Sequence, residues 1–251
     1  MPNFVRFSHR SIWLWLAAVV LTLGCGEAPK PPATLQQGLQ SINQKQIFIN
    51  SLGMHFVPLP SGKAWLSVWE TRSGDYAAFS AATTNDWQAA WFQNTTNHPA
   101  VNVGWAEAEA FCAWLSQRER AAGLLSSNEG YRLPTNSEWS AALGQAHRPL
   151  PSANTVNFGV ELKADSFSHT SPVGSFPANT LGLHDLRGNV WEWCTAWPGE
   201  EGAMRILRGG GWRDHTSELL APDRQLMVAP HAMAEDYGFR CVLVLKRSPK
   251  P

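Results

Sequence analysis

GLHDLRGNVWEW, from Gly182 to Trp193, interleaves glycine with carboxylate-bearing and aromatic residues at a spacing that fits neither a helical nor an alternating-strand period. Its carboxylates, Asp185 and Glu192, sit on turn-rich backbone, the setting in which hard oxygen ligands gather around a metal ion. Four further blocks surround it. HPAVNVGWAEAEAFCAWLS (98–116) and YRLPTNSEWSAAL (131–143) precede it, and RILRGGGW (205–212) and YGFRC (237–241) follow. In the first of these, Ala108, Phe111, Cys112 and Leu115 fall at i, i+3, i+4 and i+7, which predicts a helix with one apolar face that Gly123 can end. In the second, Thr135 and Glu138 form a capping box ahead of Trp139 and Leu143, which predicts another helix. A less marked helical pattern covers Asp75–Ala82. Short strands are expected at His55–Leu59, Ala64–Trp69, Met204–Arg208 and Phe239–Leu245.

The N-terminus carries a separate signal. Arg6, His9 and Arg10 precede an apolar run from Ile12 to Leu23 that ends in Gly24-Cys25, the pattern of an export signal and too short for a stable membrane span. A small residue directly before a cysteine resembles a bacterial lipoprotein cleavage site. Residues 1–24 are therefore expected to be a lipoprotein-type signal peptide and Cys25 the lipidated mature N-terminus, with a plain signal peptide or an uncleaved anchor as the alternatives. Residues 25–46 read as a polar, Pro-rich tether, 47–246 as one domain and 247–251 as a tail. The expected location is the bacterial cell envelope, lipid-anchored to a membrane, and Gly26 after the cysteine fits onward sorting to the outer membrane.

The charge balance narrows the partners. With 20 basic and 20 acidic residues and no long run of one sign, the chain has no electrostatic footprint for nucleic acid. Its 13 tryptophans are expected to build the core of a loop-rich fold, leaving any exposed ring free to stack on sugars or peptides.

In content and order, the five blocks resemble the formylglycine-generating enzyme (sulfatase-modifying factor) domain family, from about Phe48 to Leu245. The resemblance implies an α+β, C-type-lectin-like fold, loop-rich with short strands and few helices. It also implies structural calcium. One site would use the carboxylates of Asp185 and Glu192 with the carbonyls of Gly188 and Val190, and another Asn157, Asp165 and the carbonyls of Phe158 and Phe167. A disulfide between Cys112 and Cys241 is implied as well, which leaves Cys194 as a buried free thiol.

The family's enzymes oxidise a substrate cysteine with a pair of their own cysteines, which binds copper and follows a GGSW-like turn. Here that turn is RGGGW, and Gly211–Arg240 contains no cysteine; the pair would fall near Asp214 and Leu219. Thiolates hold copper(I), and neither a carboxylate nor an aliphatic side chain replaces them, so copper is not expected. The H-x-x-x-H-x-E motif of the related iron-dependent sulfoxide synthases is absent too. The expected function is a non-catalytic binding or scaffold module for a protein, peptide or glycan, with no nucleic acid and with a membrane reached only through the lipid anchor. Its groove would be floored by Trp212 and rimmed by Asp214, His215, Glu218, Asp223 and Arg224. The alternative is an enzyme of the same superfamily with an altered substrate or mechanism. A surface-displayed variable ligand binder is less favoured, because Gly211–Arg240 contains no Asn and a single Ser.

Overall fold

In the computed structural model, which describes residues 39–42, 45–144, 156–159, 165–195 and 204–245, each helix opens where an acidic side chain reaches back to the preceding backbone. In α1 (Ser73–Ala82), Asp75 accepts from the Arg72 N–H at 3.0 Å. In α2 (Trp105–Ala121), Glu107 accepts from Gly104 at 2.8 Å. In α3 (Asn136–Leu143), Glu138 accepts from Thr135 at 2.9 Å while the Thr135 hydroxyl accepts from the Glu138 N–H, completing the expected capping box. These bonds satisfy N–H groups that the helix itself leaves unpaired, and the carboxylates complement the helix dipole. Ala108, Phe111, Cys112 and Leu115 form the buried face of α2, and Gly123 follows its end with φ +70°.

Strands β1 (Leu39–Ile42), β2 (Lys45–Ile49), β3 (His55–Pro58), β4 (Trp65–Ser67), β5 (Gly130–Arg132) and β10 (Val242–Val244) form one sheet, in the order β1-β2-β3-β4-β10-β5. Strands β6 (Trp191–Trp193), β7 (Arg205–Arg208), β8 (Leu226–Val228) and β9 (Tyr237–Gly238) form another, in the order β8-β7-β6-β9, with β6 and β9 parallel. Two expectations change here. Residues 39–42 and 45–46, placed by sequence in the tether, belong to strands of the first sheet. The single strand expected over Phe239–Leu245 does not form as such; Phe239–Cys241 instead carries the chain from one sheet to the other, with the Phe239 carbonyl accepting from Thr71 and the Cys241 carbonyl from Ser67. The signal peptide, Cys25, residues 26–38 and the tail lie outside the described residues. No helix among the described residues is long and apolar enough to cross a membrane.

The core gathers side chains from α1, α2 and both sheets. Phe111 meets Tyr76, stacked at 5.7 Å, and Phe239, edge-on at 5.4 Å, while Trp191, Trp193, Phe48 and Phe56 are buried in the same cluster. Each such ring withdraws enough apolar surface from water to stabilise the fold by about 1.5–3 kcal/mol, which explains how short strands and long loops hold together.

Candidate functional site

The residues of the expected groove begin at the glycine run after β7. A Cβ on Gly211 would lie 3.0 Å from both the Asp236 Cβ and the Trp191 ring, so a side chain there would press on both where glycine lets them pack against the turn. Asp214 is fixed by two donors, the Gly211 N–H at 2.7 Å and the Trp191 indole. Its carbonyl accepts from Gly159 at 3.0 Å. Asp236 lies across Gly211, and burial, then the charge of Asp214, pushes its carboxyl up to about 6. Burial raises Asp214 as well.

Trp212 turns the other way. Its indole donates to the Glu235 carbonyl at 2.9 Å, and its ring meets His169 at 4.8 Å and Phe92 at 5.6 Å. Phe92 and His169 stack at 4.5 Å, and Trp91, 80% exposed, stands edge-on to both. Arg213 packs over Trp212 and pairs with Glu235. The structure thus joins Trp212 to an aromatic wall and Asp214 to Asp236. His215 packs near Gly159, while Glu218, Asp223 and Arg224 are exposed on and just after the 3-10 turn Ser217–Leu220. Sequence reading missed Trp91, Phe92, His169 and Asp236. The first three come from loops with no periodicity, and Asp236 stands directly before YGFRC with nothing to distinguish it from Glu235.

A second constellation lies behind the quoted motif. The loop before β6 takes left-handed backbone at Asp185 (φ 55°), Gly188 (φ 82°) and Asn189 (φ 63°), and a Cβ on Gly188 would run into the Asn157 carbonyl. Asn189 accepts from the Ser171 N–H at 3.0 Å and donates its own N–H to Asn157, knitting the two loops together. Glu192, fully buried on β6, accepts from Arg240 at 2.6 and 2.7 Å and from the Trp139 indole at 2.8 Å. Both of its oxygens are thereby committed. Asp185 accepts from the Gly174 N–H at 2.6 Å through Oδ2, whereas its Oδ1 and both oxygens of Glu70 are buried without a hydrogen-bond partner. Burial first, then Asp185, holds Glu70 well above the ordinary carboxylate range. At the other expected metal position, Asp165 accepts from the N–H groups of Phe158 at 3.1 Å and Phe167 at 2.6 Å. The Asn157 Nδ2 donates to the His169 carbonyl, and its Oδ1 is buried without a partner. Among the described residues no set of three or more His, Cys, Asp or Glu side chains is arranged to hold a metal ion. The orphaned oxygens of Asp185 and Glu70 fit a hard cation, and the Glu192 carboxylate does not.

The two sheets, the three helices and these loops define a formylglycine-generating-enzyme, C-type-lectin-like fold. The solved structure of PvdO from Pseudomonas aeruginosa superposes with a TM-score of 0.60 at 22% identity, over 78% of this chain and 83% of that one. The crystal structure of CarF does so at 0.56 and 25%, over 73% and 87%. Residues 41–245 match the model of the sulfatase-modifying factor enzyme 1-like domain, and the chain belongs to that family. Among curated relatives, the inactive C-alpha-formylglycine-generating enzyme 2 of Mus musculus is 35% identical over 163 residues, 57% of this chain and 48% of that protein. The formylglycine-generating enzyme of Thermomonospora curvata is 30% identical over 184 residues, 58% and 55%. A serine/threonine-protein kinase pkn1 of Chlamydia caviae is 32% identical over 169 residues, 59% and 24%. The match therefore spans between about a quarter and about half of these relatives' length.

Proposed function

We propose that this chain is an exported, membrane-tethered member of the sulfatase-modifying-factor family that acts as a non-catalytic binding or scaffold module, taking a peptide, protein or glycan at the groove around Trp212. One observation carries the reading. Asp214, locked by the Gly211 N–H and the Trp191 indole, lies near the position that the resemblance implies for the family's first cysteine, and Leu219, near that of the second, packs against the core. Neither side chain offers the thiolate that copper(I) requires. The wall of Trp91, Phe92, His169 and Trp212 supports a binding role, because an exposed ring at Trp91, backed by half-buried rings and lying near carboxylates, suits stacking and polar recognition. The mouse relative is named as an inactive enzyme, which agrees with the reading. Export and tethering rest on the run from Arg6 to Cys25.

The test is incubation of the soluble chain from Glu27 to Pro251 with a C-x-P-x-R peptide, oxygen and copper, read by mass spectrometry. A folded protein that leaves the peptide thiol intact is expected. Conversion to the aldehyde would sink the proposal and make this a modifying enzyme without the cysteine pair.

A further inference from the structure

Between α1 and the loop that follows it lies a cavity of about 470 Å³, and none of the residues assigned to the groove around Trp212 lines it. Its walls are pinned. The Ser73 N–H donates to the His98 carbonyl at 2.7 Å, the Gly74 N–H to the Thr96 carbonyl at 3.0 Å and the Trp87 indole to the Val101 carbonyl at 2.8 Å. The Ser80 hydroxyl donates to the Asn85 carbonyl at 2.6 Å. A Cβ on Gly74 would lie 3.0 Å from the Thr96 Cβ, so the loop comes this close to α1 because that position has no side chain. The cavity is therefore formed before a ligand arrives, which lowers the cost of binding, and its size falls within the roughly 300–1,000 Å³ of small-molecule sites.

The lining sets the chemistry of the ligand. None of its side chains carries a charge, so a phosphate, carboxylate or ammonium group would enter without a counter-ion. The exposed amides of Gln88 and Asn94 and the hydroxyls of Thr95 and Thr96 offer donors and acceptors side by side. Half-buried Gln93 donates from Nε2 to the Pro99 carbonyl at 2.7 Å, while its Oε1 is buried without a donor. An unmet acceptor in the wall favours a ligand that brings hydroxyl groups. Trp87, Ala77 and Ala81 add apolar surface on which the C–H face of a sugar ring can pack. A peptide finds less to hold. An extended one needs an exposed strand edge and a helical one an apolar stripe, whereas this cavity is walled by the alanines and serines of α1 and by loop. We propose that the cavity binds a neutral saccharide, at a site separate from the groove.

The chain is titrated with maltose, cellobiose and diacetylchitobiose and followed by saturation-transfer NMR, which reads weak binding from the protons of the sugar. At least one of the three is expected to bind with a Kd on the order of 1 mM, the scale of a few hydrogen bonds and one packed ring set against the entropy of association. Ala77→Phe, at an exposed position of α1, fills the cavity and is expected to weaken that binding about tenfold or more, and Asn94→Ala, which removes an exposed amide, about fivefold. No binding by any of the three sugars overturns the proposal, and so does binding that Ala77→Phe or Asn94→Ala leaves undiminished. If Ala77→Phe fails to fold, Gln88→Ala, at another exposed lining position, is read in its place by the same criterion. Trp91→Ala strips the aromatic wall of the groove, so sugar binding that disappears with it belongs there, and the cavity assignment falls. Displacement of the sugar by trialanine would give the cavity to peptides and overturn the saccharide. The C-x-P-x-R assay reads chemistry at the groove, so either result there leaves this one standing.

Discussion

Arg240, with 0% of its side chain exposed, donates to both oxygens of Glu192 and to three backbone carbonyls, so it joins β6, β4 and the Asp185 loop at one point. Arg240→Met would leave Glu192 buried without its counter-ion, and a loss of about 3–5 kcal/mol in urea unfolding is expected. Replacing both partners with apolar residues of similar volume should recover much of that loss. A single variant within about 1 kcal/mol of wild type would show that the pair does not hold the fold. Asp236 gives a prediction of opposite sign. Its carboxyl is pushed up to about 6 in the folded state by burial and by Asp214, whereas an aspartate in the unfolded chain titrates near 3.9, as a typical value. The folded state therefore binds that proton more tightly. The resulting stability is fully present below about pH 4 and is lost as pH rises through about 6. At pH 7.5 the ionised group costs up to about 3 kcal/mol, and Asp236→Asn should exceed wild type there while matching it at pH 4. An advantage of equal size at both pH values would mean that Asp236 titrates like an exposed carboxylate.

At the scale of elements, what the sequence revealed follows from length and from caps. α3 was legible because Thr135 and Glu138 announce its start. Thr135→Ala removes the hydroxyl that accepts from the Glu138 N–H and should cost about 1 kcal/mol, measured by chemical denaturation. No change would mean that Glu138, also paired with Arg132 at 2.6 Å, caps the helix alone. The strands were harder. β6 is WEW, buried at all three positions, and β5 is GYR, so neither is long enough to display a period of two. The sheet switch at Phe239–Cys241 was hidden because FRC reads as the start of an apolar run, while its direction is set by pairing with distant Thr71 and Ser67. The candidate sites divide in the same way. Asp185, Glu192 and Trp212 stand in recognisable blocks. Glu70, His169 and Trp91 occupy unpatterned loops, and only the tertiary fold brings them to the same places.

For the molecule as a whole, the decisive contact is between Cys112 on α2 and Cys241 at the crossing between the sheets. Their sulfurs are 3.7 Å apart as free thiols, and the residues are separated by 129 positions. A bond needs roughly 2.05 Å, which a modest rotation of either side chain supplies. Closing so long a loop restricts the unfolded chain, and the loop-entropy model puts the gain at about 5 kcal/mol, less if the bridge is strained. Burial and the neighbouring sulfur raise the Cys112 thiol well above its ordinary range, so it is a poor nucleophile once folded, and a bond between the two sulfurs would form while the chain folds under oxidising conditions. Protein folded under such conditions should lack the mass of two hydrogens, and Cys112→Ser or Cys241→Ser should each lower the Tm by roughly 10 °C. Cys194→Ser should cost much less, since the hydrogen bonds of this buried residue are made by its backbone, the N–H to the Ile206 carbonyl and the carbonyl from the Trp105 indole, and survive the change. Equal losses for all three variants would point to packing as the common cause. If unfolding in reductant also left mass and Tm unchanged, the two sulfurs would be thiols in the working protein, and the aromatic core would hold the sheets together unaided.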